Sequence, residues 1–134
     1  MSTAPVHETP RHWRVDGDVP SLLGSLCTAC GKRAFPVRDF CDGCGSEGGM
    51  ETVSLSRTGS LYSYTIVRIA PRQFSVPYTL GFVDLPEDVR ILAQIESGAS
   101  LSLGDSLELF IGPVRLADDG STIDGYKFRR AGRQ

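Results

Sequence analysis

All the cysteines of this chain fall into two Cys-x-x-Cys pairs with ten residues between the pairs. The four residues are Cys27, Cys30, Cys41 and Cys44. A tetrahedral zinc site requires four thiolates about 2.3 Å from the metal, and two short turns that face each other can supply them. Gly31 and Gly45 follow the pairs directly, and glycine takes the positive φ of a sharp chain reversal at little cost. Residues 26–50 are therefore predicted to form a structural zinc ribbon, because paired Cys-x-x-Cys motifs are a strong sequence signal for metal.

Four thiolates leave no open position on a bound zinc ion, so the predicted metal would stabilise the fold without taking part in chemistry. Tetrahedral sulfur ligation also suits iron, which leaves an electron-transfer protein as an alternative. Two disulfides would suit a secreted chain. The first 30 residues lack the continuous apolar stretch of a signal peptide, so the expected location is the reducing cytoplasm.

The size and charge of the chain limit the classes of function that it can have. Its 134 residues, of which 40% are hydrophobic, make one ordinary domain or two very small ones. The net charge of −2 argues against a nucleic-acid-binding protein, since neutralising phosphates requires an excess of basic residues. There is no run of about 18 apolar residues, so no membrane-spanning helix is expected.

Residues 1–20 are predicted to form an extended N-terminal arm, because they contain several prolines and show neither helical nor strand periodicity. Such termini are usually mobile unless something holds them. Trp13, the only tryptophan, lies between Arg11 and Arg14, and this composition is typical of an interface. Trp13 is thus a candidate for docking on the body of the protein or on a partner.

From residue 57 onwards the sequence changes to short strands separated by turn signals, the pattern of an all-β barrel or sandwich. Between residues 89 and 96, apolar and mostly polar side chains alternate with the period of two that a sheet with unequal faces requires. The predicted strands cover residues 61–69, 78–85, 89–96, 106–111 and 126–129. The chain is therefore predicted to be mainly β, with the arm, a rubredoxin-like zinc ribbon at 21–50 and a five- or six-stranded OB-fold barrel at 51–134. A six-stranded sandwich is the alternative.

The barrel segment lacks the residues that most hydrolytic and acyl-transfer enzymes use. Residues 51–134 contain no cysteine and no histidine, which excludes a Cys/His or Ser/His pair within the barrel. No phosphate-binding or dinucleotide-binding glycine motif is present either. The sequence thus favours a protein that binds or supports another molecule over one that transforms it.

Several short segments of the sequence resemble the zinc-ribbon OB-fold family known as domain of unknown function thirty-five. They are Phe35-Pro36 between the cysteine pairs, 59–65, 77–85, 90–95, Gly104-Asp105 and 126–128. The resemblance runs from about residue 22 to residue 128. It implies an accessory subunit of thiolases, thiolase-like synthases or aldolases that act on acyl-CoA, including those of steroid side-chain degradation. The resemblance also implies that the partner carries the catalytic residues and that in some complexes the barrel helps to enclose the coenzyme A.

The chain departs from the family at its amino end, where a segment with Pro20 and two glycines replaces the usual helix. The details of partner docking there do not carry over from the resemblance. The candidate residues for contact with the partner or with coenzyme A are Trp13, Arg72, Phe74, Tyr78, Arg129 and Arg130. Arg72, Phe74 and Tyr78 belong to the stretch 68–78, which combines charge, aromatic surface and two prolines.

Our preferred hypothesis is thus a non-catalytic accessory subunit that completes a thiolase or thiolase-like aldolase in a hetero-oligomer. The first alternative is a nucleic-acid-binding module, in which Tyr62 and Tyr64 would stack on bases if their strand is regular. A free-standing enzyme acting on acyl thioesters is a further alternative, but it lacks a plausible base and nucleophile.

Overall fold

A computed structural model describes residues 12–45, 47, 49–96 and 101–131, and this part of the chain is built from β-strands. The strands are β1 Trp13–Asp16, β2 Val19–Cys27, β3 Arg33–Ala34, β4 Met50–Ser54, β5 Thr58–Val67, β6 Tyr78–Leu85, β7 Val89–Glu96, β8 Ser106–Leu116 and β9 Thr122–Arg130. The described residues include no helix of the length and apolarity needed to cross a membrane. The predicted β class is confirmed.

The first four strands form a small antiparallel sheet around β2. β1 pairs with the first half of β2, β3 pairs with its second half, and β4 lies along its other edge. The extended arm expected up to residue 20 is therefore wrong for residues 13–20, which form β1 and the start of β2. Proline at the start of a strand loses no essential ladder hydrogen bond, so Pro20 is compatible with pairing to Val15. Residues 1–11 of the predicted arm lie outside the described part of the chain.

The last five strands close into a barrel in the order β5-β6-β7-β9-β8. β7 and β9 are parallel, the other pairs are antiparallel, and β5 pairs with β8 to complete the ring. This closure confirms the predicted OB fold, and the sandwich alternative is wrong. Closure also removes the exposed edges that an open sheet would leave.

The final hairpin is longer than the sequence pattern predicted. The strand predicted at 106–111 continues as β8 to Leu116, with a shift of register between Pro113 and Arg115. β9 begins at Thr122, four residues earlier than expected. The residues near the turn of this hairpin pair only with each other, because β7 pairs with β9 from Lys127 onwards.

One hydrophobic core serves both the small sheet and the barrel. Its buried members are Leu22, Leu55, Leu61, Val83, Leu85, Val89, Ile91, Ala93, Ile95, Leu107, Leu109 and Phe128. Leu22 and Leu55 come from the small sheet and the segment that follows it, whereas the others come from the barrel. Arg57 donates from Nε to the carbonyl of Pro20 at 3.0 Å, which adds a polar tie between the two parts.

The segment between β4 and β5 is fixed by the carboxylate of Glu87 in the β6–β7 turn. Glu87 Oε2 accepts hydrogen bonds from the backbone N–H and the hydroxyl of Ser56, both at 2.9 Å. Among the described residues, Glu87 Oε1 is the one buried side-chain polar atom without a hydrogen-bond partner. A partly buried carboxylate with both donors on one oxygen thus lies at the junction of the two parts of the fold.

We predict that Glu87→Ala lowers the free energy of unfolding by about 1.5 to 3 kcal/mol, because it removes two hydrogen bonds to a charged acceptor and leaves Ser56 without them. Urea denaturation followed by circular dichroism measures the change. Glu51→Ala, which removes an exposed carboxylate of β4, is the matched control and should change stability little. Equal midpoints for Glu87→Ala and the native chain would contradict this role.

Candidate functional site

The four cysteine sulfurs lie together at one end of the small sheet. Every Sγ atom of the set lies within 4.8 Å of the others. Cys27 and Cys44 are 3.7 Å apart, and Cys30 and Cys41 are 3.6 Å apart, measured between sulfurs. A tetrahedron with metal–sulfur distances of about 2.3 Å has sulfur–sulfur edges of about 3.8 Å, so this geometry fits one metal ion. The cysteines are not joined by disulfides, which would need sulfurs about 2.05 Å apart.

The two turns that carry the thiols have matching hydrogen bonds. The N–H of Gly31 donates to the Cys27 carbonyl at 2.7 Å, and the N–H of Gly45 donates to the Cys41 carbonyl at 2.8 Å. Gly31 and Gly45 have φ values of 83° and 81°, which confirms the predicted chain reversals. In this left-handed region a side chain would be strained, so glycine is required at both turns.

Backbone donors adjust the acidity of the thiols. Backbone N–H groups of Cys44 and Gly43 point at the Cys41 sulfur, and these hydrogen bonds lower the pKa of Cys41. A backbone hydrogen bond from Lys32 acts to lower the pKa of Cys30, but hydrogen bonds with the other thiols and burial outweigh it and raise that pKa to about 11. Metal binding to such a set must therefore displace protons, since the ligand form of cysteine is the thiolate.

An aromatic cluster connects the metal-site segment to the barrel. Phe35, which lies between the two cysteine pairs, meets Tyr126 of β9 edge-on with ring centroids 5.5 Å apart. Trp13 and His12 each contact Tyr126 at 6.4 Å, and His12 contacts Phe35 at 5.7 Å. Burial raises the pKa of the Tyr126 phenol. Trp13 thus packs on the barrel of its own chain.

A groove of about 510 Å³ lies between the β8–β9 hairpin and the strands β6 and β7. We call it the barrel groove. Trp13 contributes to its lining, together with Phe74, Leu80, Leu92, Val114, Ile123 and Tyr126. Gln94 donates from Nε2 to the Val114 carbonyl at 2.9 Å, and Lys127 Nζ donates to the Pro113 carbonyl at 3.0 Å. These two bonds hold the hairpin beside the barrel, and the groove that they maintain has mainly apolar walls.

Three of the predicted contact residues meet at this groove. Trp13 and Phe74 both line it, and Tyr78 stacks on Phe74 with ring centroids 5.8 Å apart. Arg72 is exposed on the same loop, 68–77. The loop is tied to the hairpin because the N–H of Leu116 donates to the carbonyl of Gln73 at 2.7 Å.

Arg129 and Arg130 are not part of the groove. Arg129 donates from Nε to Glu108 at 3.0 Å and lies over the ring of Phe110, with 4.6 Å between guanidinium carbon and centroid. Arg130 lies 3.8 Å from a carboxylate oxygen of Asp105. Both guanidinium groups thus face carboxylates of their own chain, and free phosphate would have to compete with them.

The nucleic-acid-binding hypothesis required Tyr62 and Tyr64 to lie on a regular strand. The strand that carries them, β5, is not regular. The register of β5 shifts between Leu61 and Ser63, which breaks the alternation between Tyr62 and Tyr64. The guanidinium of Arg90 covers the Tyr62 ring at 3.5 Å from its centroid. Tyr64 donates its hydroxyl to the Leu101 carbonyl at 3.3 Å. One face of the Tyr62 ring is therefore covered by a cation, while both rings are partly exposed, at 52% and 40%.

Sequence reasoning missed most of the groove lining. Leu80, Leu92, Val114 and Ile123 come from four different strands, and only the barrel topology brings them together. One signal was present in the sequence. Leu92 occupies an outward position of β7, where its neighbours Arg90 and Gln94 are polar, and it is 47% exposed.

Two families of known domains match consecutive parts of this chain. Residues 14–51 match the family described as "ChsH2, rubredoxin-like zinc ribbon domain". Residues 52–118 match the family described as "ChsH2, C-terminal OB-fold domain". The boundary between the two matches falls within β4.

Similar proteins cover most of the chain. It is 41% identical over 116 residues to the benzoylsuccinyl-CoA thiolase subunit BbsA of Thauera aromatica, across 86% of this chain and 80% of that protein. It is 33% identical over 127 residues to a DUF35 domain-containing scaffold protein of Methanothermobacter thermautotrophicus, across 91% of this chain and 96% of that protein. Among solved structures, a chain of the Ltp2-ChsH2(DUF35) aldolase superposes with a TM-score of 0.68 at 26% identity, covering 84% of this chain and 86% of that chain.

We predict that Cys41→Ser abolishes stoichiometric metal binding and lowers the thermal unfolding midpoint, because one lost thiolate removes most of the free energy that a closed site contributes. Metal analysis of the purified protein and a thermal melt measure both effects. Asp39→Asn, an exposed change in the same segment, should leave both unchanged. Full metal content in Cys41→Ser would show that the four sulfurs do not act as one site.

Metal retention should also depend on pH. Protons compete with the metal for the thiolates, so the affinity for the metal should fall as the pH is lowered. Titration with a chelator between pH 8 and pH 5 would reveal earlier release of the metal at the acidic end. A release curve independent of pH would argue against thiolate ligation.

Proposed function

This chain belongs to the ChsH2 family of zinc-ribbon and OB-fold proteins, and we propose that it is a non-catalytic accessory subunit of a thiolase or thiolase-like aldolase. The observation that carries the proposal is the similarity to a benzoylsuccinyl-CoA thiolase subunit over most of both chains. The structural likeness to a chain of an aldolase that carries a DUF35 protein points in the same direction. The residue inventory agrees, since segment 51–134 has neither histidine nor cysteine.

The proposed metal is one zinc ion with a structural role. The spacing of the four sulfurs fits tetrahedral ligation, and four thiolates would occupy every position on the ion. Iron also binds four sulfurs in a tetrahedron, so the geometry of the site does not distinguish the two metals. The colour of the purified protein does, because an iron–sulfur site absorbs visible light and a zinc site does not. We expect the purified protein to be colourless and to contain one equivalent of zinc, as measured by mass spectrometry of the metal content. A red protein with stoichiometric iron would instead support the electron-transfer alternative.

The proposed substrate class is an acyl-CoA thioester bound at or near the interface with the partner. An accessory subunit can contribute by closing the partner's site against water, which strengthens the electrostatic interactions inside it. The acyl groups that we propose are lipid or steroid side chains. The proposed location is the cytoplasm, where reduced thiols persist and remain available to zinc.

Co-expression with the thiolase-like proteins encoded beside this gene tests the proposal. We expect one of them to elute with this chain in gel filtration. Its thioester-cleaving or carbon–carbon bond-forming activity should fall on the order of 100-fold when this chain is omitted, because misplaced catalytic geometry costs that much. The Cys41→Ser chain serves as the control that should fail to assemble.

A partner that is soluble and fully active alone, with no complex in gel filtration, would contradict the accessory role. Turnover of an acyl-CoA by the isolated chain would contradict the statement that it is non-catalytic.

A further inference from the structure

Lys32 and Asp42 connect the two turns that carry the cysteine pairs. Lys32 follows the first pair by two residues, and Asp42 lies within the second pair, directly after Cys41. The Nζ atom of Lys32 lies 3.0 Å from a carboxylate oxygen of Asp42. This ion pair therefore joins the two halves of the four-sulfur site from side chain to side chain.

The side chain of Lys32 reaches Asp42 by lying across the second turn. A Cβ atom on Gly43 would lie only 2.9 Å from Cδ of Lys32, closer than side-chain carbons approach in proteins. The same position is 3.8 Å from Nζ of Lys32 and 3.5 Å from Sγ of Cys41. The ammonium group and the thiol thus lie around one point, which a glycine leaves open.

The backbone at both ends of this ion pair is bonded to the cysteine residues. The carbonyl of Lys32 accepts a hydrogen bond from the N–H of Cys27 at 2.9 Å. Next to Asp42, the N–H of Gly43 donates to the Cys41 sulfur at 3.3 Å. A restraint on the two side chains therefore also restrains the backbone segments that place the sulfurs.

The charge of the Lys32 side chain suits a site made of four thiolates. Four thiolates carry more negative charge than one zinc ion can neutralise, so the loaded site is anionic. A cation beside such a site is attracted to it, and a carboxylate is repelled. The ammonium of Lys32 thus favours the loaded site and offsets the unfavourable position of the Asp42 carboxylate.

From these observations we propose that Lys32 and Asp42 form a clasp that slows the separation of the two turns and thereby the release of the metal. The inference rests on the proposed zinc site and does not depend on the accessory role. Both side chains are about half exposed, and an exposed ion pair of this kind adds little to the stability of a fold. The clasp acts on metal retention instead, because the turns must move apart before a closed site can lose its ion.

The test measures how fast the zinc-loaded chain releases its ion to an excess of a chelator that changes colour on binding zinc. Lys32→Met removes the ammonium, and Gly43→Ala keeps every charge but displaces the lysine stem. Lys32→Met should speed release on the order of 10-fold, the lower end of the range for residues that orient metal ligands, and Gly43→Ala should act in the same direction. Lys32→Arg, which retains the charge, should restore slow release. Arg33→Met removes the neighbouring exposed cation and is the matched control, which should leave the rate unchanged.

A double-mutant cycle with Asp42→Asn separates a clasp from two charges that act independently. If the two side chains work as a pair, their effects are not additive, and the double variant should release zinc no faster than Lys32→Met alone. Circular dichroism and urea denaturation verify that each variant is folded and has the stability of the unmodified chain.

Release at the unmodified rate from both Lys32→Met and Gly43→Ala would overturn the clasp and leave the zinc site in place. Additive effects in the double variant would also overturn it, because independent charges would then account for both changes. A urea midpoint lowered as far as in Cys41→Ser would show that the pair stabilises the fold instead. An unmodified chain that binds no zinc would remove the metal site and the clasp together, whatever the result of co-expression with a partner.

Discussion

The four-sulfur cluster is the interaction on which the rest of this structure depends. Among the described residues between 28 and 49, Cys41 is the only one that is buried, so this stretch has almost no hydrophobic core of its own. Metal binding to such a site contributes on the order of 10 kcal/mol in isolated zinc-finger peptides. Ligation by four thiolates can therefore hold two turns together where apolar burial cannot.

The position of the cluster determines how the two parts of the chain meet. Phe35 lies between the cysteine pairs, so the segment that carries the two cysteine turns holds it against Tyr126 of the barrel. Tyr126 in turn contacts Trp13 and helps to line the barrel groove. Leu22 and Leu55 extend the barrel core into the small sheet. Loss of a bound metal would thus be expected to disturb the lining of the groove, although none of the four cysteines lines it.

The grouping of the four cysteines, the β class and the OB barrel could be predicted because each has a local signal. The Cys-x-x-Cys spacing defines the site, and the alternation in residues 89–96 defines a half-buried strand. The bounds of two strands were harder to predict, because β2 accommodates Pro20 near its start and β8 accommodates Pro113 through a shift of register. The groove could not be predicted, because its walls come from strands that are distant in sequence. The ion pairs of Arg129 and Arg130 are likewise contacts across the barrel that no local pattern encodes.

The arrangement of charge on the barrel bears on the choice between an accessory subunit and a nucleic-acid-binding module. A module for single-stranded nucleic acid needs open aromatic rings beside a basic groove that follows the phosphates. Here the ring of Tyr62 is covered by Arg90, and Asp84 engages both ends of that guanidinium fork. The same pairing weakens attraction for phosphate at this position, and Leu92 and Phe82 are exposed beside it. The apolar residues exposed on this face would gain from being buried away from water, because burial of apolar area is the dominant favourable term in association.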